Sequence, residues 1–170
     1  MRFVRSCCEQ APELRTFPPG IGSAYTMSLP PPPIQSHHPV DVGDQTEASI
    51  LAELIRRGYR VLLPFGSDQR YDLVLDIDGS FMRVQCKTGR LRDGCVVFRA
   101  QSIRSNTRKC MARDYKDDVE LFIVHCPDTR GLYVIPIDDA TRTQGTLRID
   151  PTANGQNKRV RWARDYELPA

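Results

Sequence analysis

Asp72, Gln85 and Lys87 are the residues of this chain whose types and spacing suit chemistry on a phosphodiester. They lie in the run RYDLVLDIDGSFMRVQCK, from Arg70 to Lys87, where two strand-like segments flank Asp78-Gly79. An Asp-Gly pair in that setting predicts a two-residue hairpin and fixes its register, with Ile77 opposite Ser80 and Asp72 opposite Gln85. Side chains alternate along a strand, so Lys87 joins Asp72 and Gln85 on one face. Leu73, Leu75, Ile77, Met82, Val84 and Cys86 form an apolar face behind them. Opposed residues hold their Cβ atoms roughly 5 Å apart. The set offers what phosphodiester hydrolysis needs: oxygen ligands for a hard cation, room for a water beside it, and positive charge near the developing phosphorane. Asp72 would be the charged ligand, Gln85 a neutral carbonyl ligand and the Cys86 main-chain carbonyl a further one. Lys87 would orient or deprotonate the water, or stabilise charge on the phosphate. The alternative is an ordinary polar face on a half-exposed hairpin.

A helix supplies a fourth residue. From Asp44 to Gly58 the sequence DQTEASILAELIRRG has Asp44 as an expected N-cap, Arg56 and Arg57 in the last turn and Gly58 just beyond. Its expected apolar stripe is Ala48, Leu51, Leu54 and Ile55. Glu47 falls at the edge of that stripe, where a carboxylate must find a partner or a cation. Asp44 and Glu47 also have the spacing of a capping box, so a purely structural role for Glu47 stays open.

Taken together, Gly43 and Glu47, then Arg70-Tyr71-Asp72-Leu73-Val74, then Arg83-Val84-Gln85-Cys86-Lys87 resemble the PD-(D/E)XK nuclease superfamily, and specifically its group I intron-associated homing endonuclease branch. The likeness extends through Gly58–Pro64, Val119–Val124, Tyr133–Pro136 and Asn157–Ala163, about residues 43 to 166 in all. It places the family's helix glutamate on Glu47, its metal aspartate on Asp72, its third-position glutamine on Gln85 and its lysine on Lys87. Tyr71 stands where the superfamily name has proline, and Gln85 replaces an acid, which removes one negative charge from the site. The resemblance implies a restriction-endonuclease-like domain, a Mg²⁺ cofactor for which Mn²⁺ would substitute, and double-stranded DNA as substrate.

Length and composition agree with one such domain. The chain has 170 residues, 40% of them hydrophobic, and no apolar run of the roughly 18 residues that span a membrane. The amino terminus lacks a secretory apolar stretch, so the six cysteines read as thiols of a reducing compartment, by default the cytoplasm. Their spacings give neither a zinc motif nor a disulfide framework. Residues 1–42 contain Pro18-Pro19 and the tetraproline Pro30–Pro33 and read as a disordered leader, within which Met27 is an alternative start; residues 43–170 read as the nuclease domain. After the helix, strands are expected over 59–64, 71–77, 81–87, 95–99, 121–125 and 132–137. That order predicts an α/β domain with a mixed central sheet flanked by helices.

Net charge is only +3, but it is unevenly placed. Arg104, Arg108, Lys109 and Arg113 form one basic cluster, and Lys158, Arg159, Arg161 and Arg164 a second. Two basic patches around the hairpin site suit a phosphate backbone, although a solvated surface explains any single run. The reading is therefore a Mg²⁺-dependent DNA endonuclease of homing type, a homo-oligomer if it makes double-strand breaks. An inactive DNA-binding module, or a junction or repair nuclease, is the alternative.

Overall fold

A computed structural model of the protein describes residues 38–66, 68–106, 109–152, 155 and 157–168. The expected leader lies outside them as far as residue 37. One α-helix, α1 (Pro39–Arg56), is followed by β1 (Arg60–Leu62), β2 (Leu73–Ile77), β3 (Ser80–Thr88), β4 (Arg90–Arg92), β5 (Cys95–Arg99), β6 (Gln101–Asn106), β7 (Lys109–Asp114), β8 (Leu121–Cys126), β9 (Gly131–Pro136) and β10 (Gln144–Arg148). Among the described residues no helix is long and apolar enough to cross a membrane.

The helix departs from its expected start and phase. His38, not Asp44, is the N-cap, and Pro39 follows at the first helical position, where its fixed φ suits the helix and no donor is lost. The helix thus takes in residues 39–42, which were expected to belong to the leader. Asp44 sits inside it, so the Asp44–Glu47 capping box does not form. The buried face is Thr46, Ile50 and Leu54, spaced at i and i+4, whereas Ala48 and Ile55 are exposed.

The central sheet runs β1-β2-β3-β8-β9. All its pairs are antiparallel except β3 with β8, which makes it mixed. The Asp78-Gly79 turn forms as expected: Asp78 (φ 52°) and Gly79 (φ 83°) both take left-handed conformations, and Ile77 pairs with Ser80. One face of the sheet packs on α1, with Leu73, Leu75, Val84, Cys86 and Ile123 against Ile50 and Leu54. The opposite face is covered by more sheet rather than by helix. A second, three-stranded sheet, β10-β5-β4, contributes Val96, Phe98 and Leu147 to a core with Tyr115, Phe122, Val124 and Tyr133. Gly89 marks the crossing from one sheet to the other. A Cβ there would lie 2.7 Å from Val96 Cγ1 and 2.9 Å from Val124 Cγ1, so only glycine lets β3 pass so closely into β4.

Residues 101–114, expected only as a basic segment, form the antiparallel ribbon β6–β7, a two-stranded sheet of its own. β4 and β10 were also unforeseen. Parallel strands need a long crossover, and here residues 89–120 supply it as the second sheet and the ribbon instead of a helix.

Candidate active site

The β2–β3 ladder stops at Leu73–Val84, while β3 runs on to Thr88. Along that last stretch β3 has no strand beside it on the β2 side, and Asp72 fills the gap. Its main-chain N–H donates to Val84 O at 2.9 Å, and its Oδ2 accepts the Cys86 main-chain N–H at 2.7 Å. A carboxylate thus replaces a strand carbonyl as the partner of β3. The Gln85 side chain also donates its amide nitrogen to Asp72 Oδ2. Asp72 and Gln85 therefore meet as the register predicts, but the end of Gln85 that faces Asp72 is the NH₂ and not the expected carbonyl. An ionised carboxylate accepts only, so it selects the donor end of the amide.

Helix α1 brings Glu47 to the same place. Thr46 and Thr88 hydroxyls hydrogen-bond at 2.7 Å, which fastens this turn of the helix to the end of β3. An open cleft results, lined by Val40, Gly43, Asp44, Thr46 and Glu47 on the helix side and by Asp72, Gln85, Cys86, Lys87 and Thr88 on the sheet side. A second depression, bounded by Leu63, Pro64, Gly66, Gln69 and Tyr71, shares Glu47 and Asp72 with it. Both depressions therefore give access to the two carboxylates.

Electrostatics mark the cleft as short of positive charge. Burial, then the charge of Asp72 and then that of Asp44, raises Glu47 above the ordinary carboxylate value. Burial raises Asp72 as well, opposed by the Cys86 N–H bond and by the Lys87 charge. The Cys86 thiol is pushed far up by burial, then by Asp72 and Glu47. It points to the apolar face and is inert packing. Two carboxylates held near each other at a cost are the usual preparation for a cation. Among the described residues no three His, Cys, Asp or Glu side chains form a metal cluster. With Gln85 in the third position, the donors within the cleft are two acids, an amide and a main-chain carbonyl, oxygen groups of the kind that hold a hard divalent ion.

A family model for the PD-(D/E)XK endonucleases matches residues 37–169. The chain belongs to that family. In fold, this chain is similar to the solved structure of a bacterial homing endonuclease, I-Ssp6803I, with a TM-score of 0.59 and 24% sequence identity over 74% of this chain and 85% of that one. No curated protein matches it. The variant positions of the motif now have a physical reading. Tyr71, in place of proline, lines the second depression, and Gln85, in place of the acid, is 9% exposed and satisfied by Asp72.

Lys87 lies on the Gln85 side of β3, as alternation requires, and its Nζ donates to the Tyr115 hydroxyl at 2.9 Å. Tyr115 follows β7 directly and belongs to the core between the two sheets. No sequence signal ties it to Lys87, because 28 positions separate them. Arg70, two residues before Asp72 in the motif string, was visible in the sequence but had no role assigned.

Arg113 on β7 is exposed and pairs with Asp118 at 3.0 Å. Arg104 and Lys109 lie on β6 and β7, Arg104 opposite Met111 and Lys109 opposite Asn106. Arg108 falls outside the described residues. Lys158, Arg159 and Arg161 are exposed near the C-terminal end of the described chain.

Proposed function

We propose that this PD-(D/E)XK endonuclease hydrolyses phosphodiester bonds of double-stranded DNA with Mg²⁺, for which Mn²⁺ substitutes, in the manner of a homing endonuclease. The observation that carries this reading is the cleft that gathers Glu47, Asp72, Gln85 and Lys87, two carboxylates close enough for one to raise the other, beside a lysine. Asp72 Oδ1, Glu47, the Gln85 side-chain oxygen and the Cys86 carbonyl would hold the ion. Both hydrogen bonds on the Asp72 carboxylate fall on Oδ2, which leaves Oδ1 for it. The bound ion supplies charge neutralisation and a water acidified enough to attack. Gln85 would offer its oxygen only with the amide turned over, giving up the hydrogen bond to Asp72. Lys87 lies one residue beyond Cys86 and gives positive charge to the phosphate or orients the water.

The ribbon β6–β7, which carries Arg104, Lys109 and Arg113, is a two-stranded element of the kind that a DNA major groove admits, and Arg108 of the same basic cluster would join them on the phosphates. Lys158, Arg159 and Arg161 would contact phosphates. Two cuts by one small site require a two-fold homo-oligomer. The test is cleavage of supercoiled plasmid with and without Mg²⁺. Nicked or linear product that needs the ion, and is absent for Lys87→Ala and Asp72→Ala proteins that still melt cooperatively, supports the reading. A second reading, DNA binding without cleavage, rests on Gln85: a neutral amide stands in the position of an acid, and it hydrogen-bonds the Asp72 carboxylate. Duplex binding with no cleavage at any Mg²⁺ or Mn²⁺ concentration would select it.

A further inference from the structure

We propose that Tyr115, clamped by Arg70, is a positioning residue that holds Lys87 in the cleft and ties it to the root of the β6–β7 ribbon. The inference rests on the nuclease reading of Lys87. Tyr115 is 5% exposed, and its ring meets Phe122 edge-on, with centroids 5.6 Å apart and planes at 89°. The ring is therefore fixed by packing, and its hydroxyl is a fixed acceptor for Lys87 Nζ at 2.9 Å. An unattached lysine samples many rotamers, whereas this one has a defined end point.

Arg70 completes the clamp. Its guanidinium carbon lies 4.3 Å from the Tyr115 ring centroid, and Lys87 Nζ lies 4.4 Å from the same centroid. Two cations on one ring repel each other, so something must hold Arg70. Its three nitrogens are all engaged: Nε with Asp118 Oδ2 at 3.0 Å, Nη1 with Ser102 Oγ at 2.8 Å, and Nη2 with the Asp114 main-chain carbonyl at 2.6 Å. Ser102 and Asp114 are at the base of β6 and the end of β7. Asp118 Oδ1 also accepts from the exposed Arg113 at 3.0 Å.

One side chain thus joins three parts of the endonuclease. Arg70 is two residues from Asp72, stacks on the tyrosine that holds Lys87, and bonds both strands of the ribbon. A planar fork of donors is needed for this, which lysine cannot supply. The two groups that must sit within a few tenths of an ångström of the phosphate are thereby set from the same point, and misplacement by about 1 Å can cost on the order of 100-fold in rate.

The experiment compares wild type, Tyr115→Phe, Arg70→Lys and Lys87→Ala in single-turnover cleavage of plasmid DNA with Mg²⁺, alongside duplex affinity and melting. Tyr115→Phe keeps the ring and removes only the hydroxyl. The expected result is a rate at saturating DNA lowered by about 10- to 100-fold, with half-saturation changed less than about twofold and melting near wild type. A structural role alone would not produce that split. Arg70→Lys is expected to move the rate in the same direction. A second readout does not need cleavage. Labelling of Lys87 by an amine-reactive ester, followed by mass spectrometry, should speed up several-fold in Tyr115→Phe. Inactive Lys87→Ala beside a wild-type rate and unchanged labelling in Tyr115→Phe overturns the inference and leaves the nuclease reading standing. Full activity in Lys87→Ala overturns both.

Discussion

The β2–β3 hairpin and the β6–β7 ribbon are both antiparallel pairs, yet they are held in opposite ways. β2–β3 is embedded: β1 and β8 flank it, α1 covers one face, and the second sheet packs over part of the other. Among the described residues the ribbon has no third strand, and Ile103 (42% exposed) and Met111 (66% exposed) face solvent. A pair of strands alone is marginal in water. On the proposed function the contrast is a division of labour. Chemistry on a phosphate needs groups fixed to fractions of an ångström, which the embedded hairpin would give to Asp72, Gln85 and Lys87. Following a duplex needs reach and charge, which the ribbon would supply. Arg70 bonds to both strands of the ribbon and lies two residues before Asp72.

The largest test of that division is catalytic. Asp72→Ala and Lys87→Ala in the embedded hairpin should each lower Mg²⁺-dependent cleavage by roughly 100- to 1,000-fold while duplex binding persists. Loss of binding together with cleavage in either variant would erase the distinction between the regions. Packing gives the next effect. Leu73→Ala, at 0% exposure, should cost about 2–5 kcal/mol of stability, and Ile103→Ala on the ribbon about 0.5 kcal/mol or less, both read from denaturant melts. Comparable costs would mean that the ribbon is as firmly embedded as the hairpin.

Charge should show the reverse order. Replacing Arg104, Arg108 and Lys109 with Gln should weaken binding to any duplex and flatten the slope of log K against log salt by roughly 0.9 for each phosphate that the protein no longer neutralises. The same titration on Gln85→Glu should show no change of slope. An unaltered slope in the ribbon variant places the DNA elsewhere. Gln85→Glu returns the missing charge to the cleft and should tighten Mn²⁺ binding by about tenfold, measured by calorimetry, even if turnover falls. Equal affinity of the two proteins for the ion would show that position 85 does not ligate it.

The smallest effect is on stability against pH. Asp72 and Glu47 are raised above the ordinary values of 3.8 and 4.5, so the folded protein binds these two protons more tightly than the unfolded chain. Their contribution therefore favours the fold at low pH and fades as pH climbs from those ordinary values through the raised ones. Asp72→Asn and Glu47→Gln should flatten this part of the curve of Tm against pH, and Mg²⁺ should restore stability mainly at its upper end. Glu120, lowered by its Arg83 partner, contributes with the opposite sign but equally in wild type and variants, so it cancels. A wild-type curve in both variants would show that the cleft carries no such strain.

Local chemistry made part of this endonuclease legible in its sequence. Asp78-Gly79 between two strand-like runs strongly favours a two-residue turn with positive φ, and from that one turn followed the register, the two faces of β3 and the meeting of Asp72 with Gln85. Asp93-Gly94 carries the same signal, with φ of 48° and 69°, and would have revealed the β4–β5 hairpin. The helix was legible in type but not in phase, because Ile50 and Ile55 are equally apolar and only packing on Leu73 and Val84 decides which is buried. Tertiary structure alone decided the rest. It set which end of the Gln85 amide faces Asp72, which depends on the neighbouring charge. It brought Glu47 to the cleft through Thr46 and Thr88, 42 positions apart. It joined Lys87, Tyr115 and Arg70 from three separate segments, a contact that no spacing along the chain encodes.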